Sequence, residues 1–301
     1  MKPFGTRLFG LVFLFLSLVP WVFGQKQKSE PPGELHVRAD LLAEVTSIQP
    51  GTEFSVAVRL QMDEGWHTYW RNPGDSGMPT KITWDLPPGF VAGKTMWPAP
   101  EKFQTSHLLS FGYTDEVFLL TAIKAPKSLK SGDRVRIAAR VEWLECREEC
   151  LPGQADVAVV LPVLEVPPAL DDRWRQGFAE TRKRLPQRRS GWAVRALADR
   201  THIRIHVRFP SGSAGVRGSG VEFFPHTEGL VDLSEPQKVI AGRGEVTIRI
   251  KRSEGFRTLP PWLEGILVFP SGGDARESPW AFLVDVPLEH QVNSLEKEVG
   301  S

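Results

Sequence analysis

Cysteine is nearly absent from this chain, with two in 301 residues. Two thiols cannot build a disulfide-rich scaffold, nor a zinc site that draws three or four cysteines from one chain. An excess of one charge is missing too, since 37 Lys and Arg face 36 Asp and Glu. Lys2 and Arg7 are the only charges in the first 24 residues, so a chain without them carries about −1. That balance excludes a bulk basic nucleic-acid binder and an acidic solvating tail. Past residue 24 no segment stays apolar for the roughly 18 residues that a membrane helix needs. G-x-S-x-G, phosphate-loop and H-E-x-x-H motifs are absent. Carboxylates abound, but no pair stands out as an acid/base couple. What is present, 41% hydrophobic and 24% charged residues, is enough for one large domain or two of ordinary size.

The N-terminus reads as a secretory signal peptide over residues 1–24. Lys2 and Arg7 supply the positive end, and Leu8 to Val22 supply the apolar run. Val22 and Gly24 are small enough for positions −3 and −1 of a cleavage site, leaving Gln25 first. An apolar run of about 15 residues falls short of the roughly 20 of a spanning helix, which argues against an uncleaved anchor. No cysteine stands at the cleavage point to carry a lipid. The expected mature chain is exported, without a transmembrane span, and its thiols meet an oxidising compartment.

Gln25 to Gly33 form a polar leader. From Glu34 to Leu164 apolar residues alternate as half-buried strands require: Phe54, Val56, Val58, Leu60, Met62; Val135, Ile137, Ala139, Val141, Trp143; Val157, Val159, Leu161. Clusters such as Asn72-Pro73-Gly74 and Pro87-Pro88-Gly89 mark the turns. Asp171 to Leu185 is the one helical stretch, with Trp174, Phe178 and Leu185 on one face and Pro186 as its stop. Its basic run Arg182-Lys183-Arg184 suits a solvated linker better than an acidic partner. From Trp192 to Pro287 alternation returns, in Ile203 to Phe209 and Val246 to Ile250 for example. Ser211 to Gly220 reads as a loop and the tail after His290 as disordered. The predicted fold class is all-β, with two tandem sandwiches over residues 34–165 and 191–288 joined by a helical linker over 166–190.

The segment that carries chemistry is Val141-Glu-Trp-Leu-Glu-Cys146-Arg-Glu-Glu-Cys150-Leu-Pro152. A three-residue loop between two strands makes a tight hairpin with the cysteines facing each other. Both cysteines fall on even positions, opposite the odd apolar set, so parity places both sulfurs on the solvent face. A bulge near Pro152-Gly153 would spoil that count. As a structural staple the bridge is weak, because a loop of about five residues contributes roughly 2 kcal/mol in the chain-entropy model. An exposed, closely spaced pair is better suited to thiol–disulfide exchange. Glu142, Glu145, Glu148 and Glu149 against Arg147 predict no strongly activated thiolate.

Other constellations are weaker. His202 and His206 are four apart, but on a strand they are merely exposed and ligate nothing. Trp66, His67, Tyr69 and Trp70 could form a sugar- or peptide-binding face, although packing explains such a run more simply.

Four motifs occur together in one order: Gly65-Trp-His-Thr-Tyr69-Trp-Arg-Asn-Pro-Gly74-Asp-Ser-Gly77, Trp97-Pro-Ala-Pro100, Phe111-Gly112-Tyr113 before Glu116-Val117, and Trp143-Leu-x-Cys146-x3-Cys150-Leu-Pro152. The region from 65 to 152 resembles the periplasmic N-terminal region of DsbD/ScsB-type thiol:disulfide interchange proteins. The second sandwich is similar, on weaker grounds, to the additional β-domain of ScsB-type members. The resemblance implies an immunoglobulin-like redox module located in the periplasm, with Cys146 and Cys150 as the exchanging pair. It implies a cap over the thiols at Phe111, Gly112 and Tyr113, and an aromatic near them at Tyr69. It implies electrons received from a membrane-embedded or thioredoxin-like thiol protein and passed to disulfides of other exported proteins, with no cofactor and no nucleic acid. The family's membrane and thioredoxin domains are not in these 301 residues, so either a separate membrane protein supplies the electrons or the module serves another use. Family analogy favours Cys150 as the attacking thiol, though the residues themselves leave that open. Two rivals remain at this point. One is an immunoglobulin-like binding or assembly protein whose Cys pair is structural. The other is a copper carrier using Cys146, Cys150 and His107 or Met96.

Overall fold

The computed structural model describes residues 35–105, 108–210, 220–270 and 280–290. The expected signal peptide, the Ser211 loop, His107 and the C-terminal tail lie outside them. In chain order the strands are β1 (Val37–Ala43), β2 (Glu53–Met62), β3 (Thr68–Gly74), β4 (Lys81–Asp85), β5 (Val91–Ala92), β6 (Glu101–Thr105), β7 (Leu108–Tyr113), β8 (Glu116–Lys124), β9 (Arg134–Cys146) and β10 (Cys150–Pro162). After α1 (Arg175–Arg184) come β11 (Ala193–Ala198), β12 (His202–Arg208), β13 (Glu222–Pro225), β14 (Lys238–Gly242), β15 (Glu245–Lys251), β16 (Trp262–Phe269) and β17 (Trp280–His290). The fold is all-β with one helix among the described residues. None of its helices is long and apolar enough to cross a membrane.

The first region builds three sheets, in the orders β1-β2-β8-β5, β10-β9-β4 and β3-β7-β6. Their apolar faces meet in one core. The odd residues of β9, Val135 to Trp143, are all buried there, as are Phe54, Val56, Val58, Leu60 and Met62 of β2. The β9–β10 hairpin pairs without a break from Arg134–Pro162 to Cys146–Cys150, so there is no bulge at Pro152-Gly153. Instead the Trp143 indole lies on Gly153, where a Cβ would come within 2.3 Å of the ring. Only glycine admits that close approach.

β11 to β17 form a seven-stranded sheet, ordered β13-β16-β17-β11-β12-β15-β14, in which β11 and β17 run parallel. Ile203, Ile205 and Val207 of β12 and Val246, Ile248 and Ile250 of β15 fill its core. Phe224, Ile266 and Ala281 belong to the core of the first region, so apolar packing continues across the two groups of strands.

The helix is shorter than its sequence pattern, starting at Arg175. Asp171 is occupied elsewhere, because its carboxylate accepts from the Arg173 backbone and guanidinium and its N–H reaches the Glu44 carbonyl. Phe178 is fully buried among Leu42, Ala57, Phe118 and Leu120, and Trp174 and Leu185 pack on the same cluster. The basic run is anchored: Arg182 pairs with Glu44, and Arg184 donates to the Ala99 carbonyl.

Candidate functional site

The site lies at the closed end of the β9–β10 hairpin. Cys146 and Cys150 are directly opposite in register and joined by a disulfide. Their exposures differ, which corrects the parity expectation that both sulfurs face solvent. Cys146 is 3% exposed, whereas Cys150 is exposed. Parity does put Cys146 on the face opposite Glu145. At this end, however, the sulfur is covered by a side chain from the strand paired beside it. His67 and Cys146 exchange both backbone hydrogen bonds at 3.0 Å, which brings the start of β3 alongside. Tyr69, next on β3, is 3% exposed, and its hydroxyl donates to Cys146 Sγ at 2.9 Å and lies 3.7 Å from Cys150 Sγ. Burial raises the Tyr69 pKa, so the phenol keeps its proton at neutral pH. The ring is seated on Gly77, whose φ of 112° and lack of a Cβ leave room for it. A Cβ there would stand 2.2 Å from Tyr69 Cε1.

His67 completes the buried wall. Its ring meets Tyr69 edge-on at 5.3 Å and stacks on Phe103 at 4.7 Å, and burial lowers its pKa. Phe103, on β6, carries no sequence signal that would have marked it. The expected cap residues lie on β7. Phe111 and Tyr113 are core residues of β7, with Phe111 edge-on to Phe224 and Tyr113 donating to the Pro98 carbonyl. Gly112 presses on the β3 backbone, where a Cβ would meet the Thr68 oxygen at 1.9 Å. β7 pairs with β3 through Thr68–Tyr113 and Tyr69–Gly112, which places the three residues on the strand next to Tyr69.

The carboxylates around the hairpin also divide. Glu145 is fully buried and accepts from the backbone of His36 at 2.8 Å, of Val37 at 3.1 Å, and from Trp143 Nε1 at 2.8 Å. It clamps β1 to the hairpin and shares the buried odd face of β9 with Val141 and Trp143. Glu142 pairs with Lys81 at 3.1 Å, while Glu148 and Glu149 are exposed in the turn. Arg147 lies over the Trp66 ring, itself stacked on His36.

The aromatic run thus serves packing. Trp66 and Trp70 are buried, and Trp70 packs on Phe224 and His226. His202 and His206 lie on β12, His206 bonded to Thr247. Among the described residues no group of three His, Cys, Asp or Glu could hold a metal, and Met96 pairs through its backbone with Leu120.

Residues 38–162 match the family model for the N-terminal part of thiol:disulfide interchange protein DsbD. The N-terminal periplasmic domain of ScsB from Proteus mirabilis is similar in structure, with a TM-score of 0.59 and 14% identity, over 87% of this chain and 97% of that one. A Porphyromonas gingivalis protein of unknown function aligns over 85% of this chain and 100% of its own at 13% identity, but its TM-score of 0.24 carries no argument. No curated protein sequence matches the chain. Residues 38–162 are thus similar to the DsbD-type N-terminal, thiol:disulfide interchange domain, and the disulfide-bonded Cys146 and Cys150 lie within that stretch.

Proposed function

We propose that this chain is an exported, periplasmic thiol–disulfide exchange protein that passes electrons through Cys146 and Cys150 to disulfides of other exported proteins. Residues 34–165 serve as the exchange module, with residues 166–190 and 191–288 as linker and second sandwich. The observation that carries this reading is the asymmetry of the pair: Cys150 is open to an incoming thiolate while Cys146 lies beneath it against the Tyr69 hydroxyl. A donor thiolate attacks Cys150 Sγ, the S–S bond breaks, and Cys146 leaves as a thiolate. The Tyr69 O–H stabilises that charge by a charge-assisted hydrogen bond. A second donor thiol releases the reduced pair. The two electrons gained then flow outward when the Cys150 thiolate attacks a partner disulfide, and Cys146 resolves the mixed disulfide. Atoms balance: one dithiol and one disulfide exchange two electrons and two protons. The donor is a membrane-embedded or thioredoxin-like thiol protein.

Trapping tests this reading. A Cys146→Ser variant keeps Cys150 as the only thiol and is expected to accumulate a stable mixed disulfide with a disulfide-bearing partner. A Cys150→Ser variant keeps only the buried Cys146 and is expected to trap little. Equal trapping by both variants contradicts the assignment of roles, and trapping by neither contradicts exchange.

A further inference from the structure

The second group of strands carries a cationic cavity with no part in the exchange site. Where β15 ends and β12 begins, His202 pairs with Lys251, and the loops on either side enclose a cavity of about 170 Å³. Four cations line it, Arg200, Lys251, Arg252 and Arg257, against one carboxylate, Glu254.

Their states differ. Lys251 is neutralised, held by Asp232 at 3.1 Å and Glu235 at 2.7 Å. Arg252 is not. Its Nη1 donates to the Asp199 carbonyl at 2.7 Å and its Nη2 to the Phe256 carbonyl at 3.4 Å, so it stitches the two loops together with its charge uncompensated. Its Nε is buried and has no hydrogen-bond partner among the described residues. Arg200 and Arg257 are exposed and have no carboxylate partner among the described residues. Three uncompensated guanidiniums, one fixed by the backbone, therefore surround a concavity, and the Ser253 hydroxyl stands at its wall. Guanidinium forks present parallel N–H donors that match the oxygens of a phosphate, and a fixed fork loses little freedom on binding.

We propose that this cavity is a binding site for a phosphate group, held by Arg200, Arg252 and Arg257. The group can belong to free phosphate or to the headgroup of an anionic phospholipid. Glu254 opposes it and tunes its affinity.

The test is titration calorimetry of the full chain with inorganic phosphate in 0.15 M NaCl. A parallel arm measures co-sedimentation with phosphatidylglycerol vesicles against phosphatidylcholine vesicles. Saturable phosphate binding identifies the free anion. Preference for phosphatidylglycerol without it identifies the headgroup. In either arm Arg257→Ala and Arg200→Ala are each expected to weaken binding about tenfold, the scale of a hydrogen bond to a charged group. Glu254→Gln is expected to strengthen it about threefold by removing a like charge, a gain that misfolding cannot imitate. Binding to neither probe, binding that all three substitutions leave unchanged, or binding that is lost in salt as diffuse attraction is, overturns the proposal.

Discussion

The two groups of strands follow different rules. In β12 and β15 burial alternates residue by residue, and on the seven strands β11 to β17 themselves no polar or charged side chain is fully buried among the described residues, His226 just after β13 being half-buried. Every buried polar side chain lies earlier, and several stand at or beside the cysteine hairpin: His67, Thr68 and Glu145. On β9 the alternation fails at the tip, where Glu145 and Cys146 are buried side by side. Apolar pattern alone is enough to specify a sheet packed on one face. Burying a carboxylate and a sulfur at one point needs polar partners, supplied here by the backbone of His36 and Val37 with the Trp143 indole, and by the Tyr69 hydroxyl. The difference teaches that the first region has taken on polar burial at its hairpin end that the second has not.

The sharpest way to break that comparison is to place one substitution in each region. Cys150→Ser is expected to abolish exchange with a model disulfide and leave the fold intact, since so short a loop contributes little stability. Ile205→Ala, in the second core, is expected to cost about 3 kcal/mol, read from urea unfolding, and leave the exchange rate of the folded protein unchanged. If both lower exchange alike, the regions are not functionally distinct. Glu145→Ala strips the acceptor from three donors, two of them backbone. A loss of about 3 kcal/mol or more in urea unfolding is expected, and a loss below about 1 kcal/mol shows that the clamp contributes little. Tyr69→Phe removes only the hydroxyl. The expected outcome is roughly tenfold slower release of Cys146 in stopped-flow exchange, with stability lowered by no more than about 1 kcal/mol.

The smallest effect is pH dependence. Burial lowers the pKa of His67, and burial, aided by Arg71, lowers that of His226 from 6.5 to about 4. The folded chain keeps both rings neutral, so below pH 6.5 the unfolded chain takes up protons that the folded chain does not. Stability is full above pH 6.5 and falls as the pH drops toward 4. His226→Asn is expected to flatten the urea-midpoint profile over that window, and an unchanged slope assigns the loss to other groups.

Much of this was legible in the sequence. The alternation of Phe54 to Met62, Val135 to Trp143 and Ile203 to Phe209 gave strands with the right residues inward, because one buried face imposes a period of two. The hairpin and the position of the cysteines opposite each other followed from a three-residue loop between such strands. What escaped depends on contacts distant in sequence. Cys146 is covered because Tyr69 arrives from a strand 77 residues earlier, and Glu145 is buried because the backbone of His36 and Val37 comes to meet it. Phe111 and Tyr113, which resembled a cap by motif, are buried residues of β7. Phe103 has no local pattern that sets it apart from any other half-buried strand aromatic.

The central claim, that Cys146 and Cys150 exchange electrons and do not merely staple the hairpin, is tested most directly by their reduction potential. Equilibration against a glutathione or dithiothreitol series is expected to give a value of roughly −180 to −270 mV, the range of exchange proteins. A value below about −300 mV marks a structural bridge and contradicts the account.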